Sequence, residues 1–429
     1  MQNDTRPPLR TAEYWVILTR SALIGAFGGV FAVVFLGLEH TVRAALWGDL
    51  GESFSWFSGG ARAFLIPVAA GLVIGGLYLV FRLPPRIKGF LEELQDGHSD
   101  PRTAPGTVVV SFVSLIGGAS LGPEAPLVTA AAGFGNMLTQ RANASVTETR
   151  TATFSGAAGA LGALLSSPFI GALFAFELER ERGVGLLFRH IIPGGVSGVV
   201  AFAIVYPVLG SPFLGIYSFP EFEFSSWYLL AGVGIGAVGA VLGIIIGMVG
   251  KLSSRIAMRV PGPVLMRSGL GGVIIGLIAF AMPATLFSGI DALGVVVDDP
   301  ASLGIGLLVG VVVLKIVTLS VSMTSGFYGG PFFPTFFIGG TIGAVIHLLF
   351  PAFPLALAVG ATMAATAAIA GIPFSIVVLG VYVVGVGPPA ASVIAIAVIT
   401  SIAITHGLGV VGQWSAAGMP DGAEGDAPA

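Results

Sequence analysis

The chain has 429 residues, of which 55% are hydrophobic and 10% charged, and its mean hydropathy is +0.95. Soluble domains carry about a quarter charged residues, so this composition excludes a soluble fold and points to an all-α protein with many membrane spans. A formal net charge of −3 gives no basis for nucleic-acid binding, no cysteine is present for disulfides or thiolate sites, and the five histidines show no ligand spacing, so neither a metal nor a cofactor is expected.

In chain order, residues 1–12 form a polar N-terminus whose Arg6 and Arg10 assign it to the cytoplasm by the positive-inside rule. Apolar runs of spanning length follow at about 15–38 and 61–81, and the connection after them carries Arg82, Arg86, Lys88 and Arg102 on the same side. Runs at about 104–121, 124–139, 152–178 and 187–210 complete a first transmembrane half, 13–210, and residues 211–225 link it to a second half, 226–414. The second half holds runs at about 226–249, 265–283, 303–322, 332–350, 353–371 and 374–405. Residues 415–429 are acidic and rich in Gly, Ala and Pro, which predicts a disordered cytoplasmic tail. The protein is expected in the cell membrane, crossing it many times and surrounded by lipid.

Glycine and proline interrupt several of these runs, above all in "LGPEAP" from Leu121 and "GGPFFPTFFIGG" from Gly329. Non-helical backbone at membrane depth is tolerated only where protein buries it or where it lines a cavity. If the halves begin near Tyr14 and Trp227, the two interruptions fall roughly 105 residues into each, and paired interruptions of that kind mark transporter sites near the midplane. In both motifs Gly and Pro precede an apolar helical run, which predicts two helix N-termini with free N–H groups and positive dipole ends, together an anion site without a lysine. Glu124 stands in the first turn of the first of these helices. There its carboxylate would occupy the anion site itself, compete with the permeating ion, and leave when protonated.

These residues resemble the CLC family of chloride channels and anion/proton exchangers. "GPEAP" is similar to the family's GREGP motif, with Glu124 at the gating position, and "GGPFFP" is similar to its GGxFxP stretch at Gly329, Gly330, Phe332 and Pro334. "PRIKGFLE", from Pro85, resembles the helix after the first filter motif, and "SSPFIGALFAFELE" resembles the proline-led helix after the gating segment. The resemblance implies two inverted-topology halves with broken and re-entrant helices, a homodimer with one pore per subunit, and transport of chloride or another halide with or without protons. It places the ion against Gly122, Glu124, Ala125, Pro126, Gly330, Phe332, Phe333 and Pro334, with Trp414 at the position of a pore-lining tyrosine.

The chain also departs from the family's pattern. Arg82, in "FRLPP", stands where the filter serine would be, Pro331 lacks an N–H that the family supplies, and Leu178 replaces the internal proton-relay glutamate. Glu177 and Glu179 are the neighbouring candidates for a proton path, against the alternative that they are solvated charges at a helix end. Lys315, in "VVVLKIVTL", is expected to snorkel or to pair with a carboxylate. The expected function is CLC-type passage of chloride gated by Glu124, as a channel or a proton-coupled exchanger. A fluoride-selective exporter is the alternative, with an organic-solute transporter behind it. An enzyme is not expected, because no nucleophile and base, phosphate loop or metal set is visible.

Overall fold

The computed structural model describes residues 11–48, 56, 59–178, 184–211, 213 and 215–409. The first half folds into α1 (Ala12–Trp47), α2 (Gly60–Val80), α3 (Phe90–Asp96), α4 (Ala104–Ile116), α5 (Glu124–Arg141), α6 (Val146–Leu164), α7 (Pro168–Leu178) and α8 (Ile192–Leu209). The second half repeats the order with α9 (Trp227–Met258), α10 (Val264–Ala281), α11 (Ile290–Asp298), α12 (Pro300–Thr324), α13 (Phe332–Leu349), α14 (Leu355–Ala367), α15 (Pro373–Val384) and α16 (Pro388–Gly407). Eight helices among the described residues are long and apolar enough to cross a membrane. Together with the shorter apolar helices they form a multi-pass bundle, in which helix formation satisfies the backbone groups internally, as lipid surroundings require.

The two halves pack alike. α1 lies on α8 and α6 as α9 lies on α16 and α14, and α5 lies on α6 as α13 lies on α14. Equivalent helices also meet across the molecule, α2 against α10 and α7 against α15, which is the arrangement a local two-fold axis produces. Close approach at the α2–α10 seam depends on glycine: a Cβ on Gly272 would run into the Pro67 carbonyl, and one on Gly71 into the Ser268 carbonyl.

Hydropathy located the spans but not all of their breaks. The run at 152–178 divides at Leu165–Ser167, where Ser166 takes φ 48° and Pro168 starts a new helix. The run at 374–405 divides at Gly385, φ 66°, ahead of Pro388. Both breaks are apolar on either side, so hydropathy alone does not mark them; the first coincides with the start of the proline-led helix that "SSPFIGALFAFELE" resembles, whereas the second lies within a run expected to be continuous. The helix expected from Pro85 starts instead at Phe90, because Gly89 is extended and donates its N–H to Glu92 Oε2 at 3.3 Å. Short α11 has no counterpart among the apolar runs, since its nine residues begin and end with acids or their neighbours.

Candidate anion site at two facing helix starts

α5 and α13 begin at Glu124 and Phe332, each after a proline, Pro123 and Pro331, in the capping position. The residues ahead of them are stitched together reciprocally. Gly122 N–H donates to the Gly330 carbonyl at 2.7 Å, and Gly330 N–H to the Gly122 carbonyl at 2.8 Å. One step outward, Tyr328 N–H donates to Ser114 Oγ at 3.0 Å, while Ser120 N–H donates to Ser322 Oγ at 3.1 Å. Each partner is offset from its equivalent by the same 208 positions that separate Glu124 from Phe332. A local two-fold axis therefore passes between the helix starts, and at Glu124 and Phe332 the two halves differ in charge.

That difference fills the site. Glu124 is 1% exposed, and its Oε1 accepts the Phe332 N–H at 2.8 Å, so the carboxylate of one half lies on the helix N-terminus of the other. Oε2 makes no well-formed hydrogen bond, although the N–H groups of Glu124 and Phe333 also lie beside the carboxyl group. A Cβ at either Gly122 or Gly330 would overlap the carboxyl group, so only glycine at both positions leaves it room. Gly122 and Gly330, expected to contact the ion, thus frame the site: their N–H groups are taken by each other. Ala125, Pro126, Phe333 and Pro334 are buried in the two first turns, as expected.

The walls are aromatic. The Phe332 ring lies 5.8 Å from Phe90 and 5.7 Å from Phe174, and Phe333 lies 4.7 Å from Phe213. Two cavities approach from opposite sides. One of about 570 Å³ is bordered by Glu39, Arg43, Leu121, Pro123 and Asp291. The other, of about 320 Å³, is bordered by Arg86, Phe90, Glu92, Tyr328 and Pro331. Residues 39–43 lie in the last turns of α1, the first crossing, and residues 85–92 follow α2, the second, which sets the cavities on opposite faces.

Other residues singled out in the sequence have different places. Arg82 stands exposed at φ 52°, ending α2. Glu177 is half-buried and engaged: Oε1 and Oε2 each accept an N–H at 2.6 Å, from Phe374 and Ser375, capping the N-terminus of α15. Replacing it with Ala is expected to cost about 1–2 kcal/mol, read as a lower unfolding temperature in detergent, because two charge-assisted caps vanish. Glu179 and Trp414 lie outside the described residues. Lys315 neither snorkels nor meets a carboxylate. It is 0% exposed and donates to the carbonyls of Thr285, Leu286 and Phe287 at 3.1, 2.8 and 2.7 Å, a cage of backbone oxygens that no sequence pattern signals.

The family model described as voltage gated chloride channel matches residues 70–406. YfeO of Salmonella typhimurium, provisionally described as an ion-transport protein, is 28% identical over 373 residues, covering 81% of this chain and 84% of its own. YfeO of Salmonella choleraesuis is 30% identical over 306 residues, covering 67% and 70%. Among solved structures, a slow cyanobacterial Cl−/H+ antiporter superposes with a TM-score of 0.75 at 21% identity, over 90% of this chain and 94% of its own. A CLC-type fluoride/proton antiporter gives 0.72 at 19%, over 90% and 95%.

Proposed function

The chain belongs to the voltage gated chloride channel family, whose members move small anions across membranes, and from that premise we propose that it exchanges chloride for protons through a site gated by Glu124. One observation carries this reading: the Glu124 carboxylate sits on the Phe332 N–H at 2.8 Å, where an anion would sit. Carboxylate and halide compete for the same helix N-termini. Protonation removes the negative charge, weakens the bond to Phe332, and frees the position for the ion. Each cycle of displacement then links one carboxyl proton to anion passage, in line with the antiporter that this fold resembles. The reading includes a homodimer and a cytoplasmic N-terminus, both checked by cross-linking and by accessibility of single added cysteines.

The test is flux in liposomes containing the purified protein, with chloride and proton movement followed in one sample. A fixed ratio of chloride to protons is expected, and chloride flux without proton movement would overturn exchange. Gly330→Ala is a further check: its Cβ would overlap the Glu124 carboxyl group and force it out. Its expected result is chloride flux that responds to pH at most about a third as strongly as in the unaltered protein, where one tenfold change corresponds to 1.4 kcal/mol.

Fluoride is the second reading, favoured by the lining. The rings of Phe90, Phe174, Phe332 and Phe333 surround the site, and exposed Arg82 supplies no hydroxyl where the family has its filter serine. A solved relative of this fold is a fluoride/proton antiporter. Equal permeability to fluoride and chloride would rule out fluoride selectivity.

A further inference from the structure

Besides Glu124, one other carboxylate is buried among the described residues: Glu93, 9% exposed, on α3. Its Oε2 accepts from Thr129 Oγ1 at 3.4 Å. Thr129 is itself 1% exposed and lies five residues along α5 from Glu124, about 7.5 Å at the helical rise. The same Oγ1 shares a hydrogen bond of 3.0 Å with the phenol of Tyr328. Tyr328 borders the 320 Å³ cavity that reaches Pro331, the residue before the Phe332 N–H that holds Glu124. A string of three exchangeable groups thus joins α3, on the Arg86 and Lys88 side, to a cavity bordered by Pro331, next to the candidate anion site.

The surroundings suit a group that takes up and releases a proton. α3 lies outside the candidate spans, and burial pushes the Glu93 carboxyl up to about 7, against the hydrogen bond from Thr129, the nearby Ser99 hydroxyl and the attraction of Lys88 that pull it down. The other charges near it are Asp100, which raises it, and Glu92 beside Tyr328. Both nearby cations are engaged elsewhere: Arg86 with Glu92 at 2.5 Å, and Lys88 with Asp96 at 2.7 Å. Among the described residues Glu93 therefore has no ion-pair partner to hold it permanently charged.

Resting on the exchange reading above, we propose that Glu93 passes protons between the Arg86 and Lys88 face and Glu124 through the hydroxyls of Thr129 and Tyr328. The carboxyl O–H of Glu93 breaks as its proton joins Thr129 Oγ1. Thr129 passes its own proton to Tyr328 Oη, and Tyr328 passes its own, through water in the cavity, to the Glu124 carboxylate. Each hydroxyl gains one proton and loses one, and the net result is one proton moved with no change of oxidation state. The reverse sequence returns it.

Chloride and proton fluxes of the full-length protein in liposomes test this. Glu93→Gln, Tyr328→Phe and Thr129→Val are each expected to lower the ratio of proton to chloride flux by about tenfold or more, against the roughly hundredfold or greater contribution typical of a positioned proton donor, and Thr129→Ser is expected to restore it. Unfolding temperatures and elution in detergent identify any variant that fails to fold, and the Thr129 pair keeps the test valid if Glu93→Gln does not fold. If the unaltered protein couples and all three variants keep its ratio, the relay is overturned while exchange stands. If proton and chloride flux fall together in folded variants, the relay is overturned as well, since the string would then serve the pore and not the proton. An unaltered protein that moves no protons overturns exchange, and the relay with it.

Discussion

Glu124→Gln and Glu124→Ala are expected to abolish proton movement, with a fall of at least about tenfold, while chloride continues to cross. The unaltered protein should pass more chloride as pH falls, because each protonated Glu124 gives up its claim on the Phe332 N–H. Neither variant has a charge to lose, so both should be flat with pH. They should differ from each other in rate. Glutamine keeps an oxygen that can accept the Phe332 N–H, at about half the strength of a charged acceptor, whereas alanine empties the position, so Ala should pass chloride faster. Liposome flux across a range of pH measures both. A Glu124→Gln protein with an unchanged pH response would return this carboxylate to the role of helix cap.

Lys315→Met is expected to be the most damaging single change to stability. Its ammonium closes three consecutive carbonyls, those of Thr285, Leu286 and Phe287, in a place without solvent, and lies 5.3 Å from the centre of the Phe337 ring. Methionine fills most of the volume but leaves those oxygens without a donor, apart from a long 3.4 Å contact from Thr318 to Thr285. An unsatisfied buried polar group costs about 1–3 kcal/mol, and relief from burying a cation offsets part of the total, leaving about 2–4 kcal/mol. The loss should also loosen Phe287, which is held at φ 56° and lies under both Trp47 and Arg43 at the mouth of the larger cavity. Thermal unfolding in detergent checks the magnitude. Lys315→Arg should fall between, because a planar fork cannot converge on three neighbouring carbonyls as an ammonium does.

Much of the anion site was legible. Gly and Pro ahead of apolar runs predicted both helix starts, and the similar offsets of "GPEAP" and "GGPFFP" predicted that they would meet, because capping chemistry and repetition leave local marks in a sequence. The break at Ser166 was marked by the proline of "SSPF", while the one at Gly385 was not expected, since both of its sides are apolar. The contacts of Glu177 and Lys315 were not foreseen, for a common reason. Their partners are backbone groups 197 and about 30 residues away, and a backbone N–H or carbonyl carries no identity in the sequence. The string from Glu93 to Tyr328 went unnoticed for a related cause: its members come from two helices and the connection ahead of a third, and share no motif. The aromatic walls were present in the composition, but only folding brings Phe90 and Phe174 to Phe332.

The reciprocal bridge between Gly122 and Gly330 also bears on how the protein is made. Loops that close over 208 residues form late, after contacts between neighbours in sequence. Until the second half has been synthesised, the Gly122 N–H and carbonyl and the Ser120 N–H have no partners, in surroundings where each orphan costs several kcal/mol. A first half released alone would therefore be held in a state with its central backbone open, a target for quality control. A chain stalled before residue 330 lacks α13, and with it one of the two helix starts that form the candidate site.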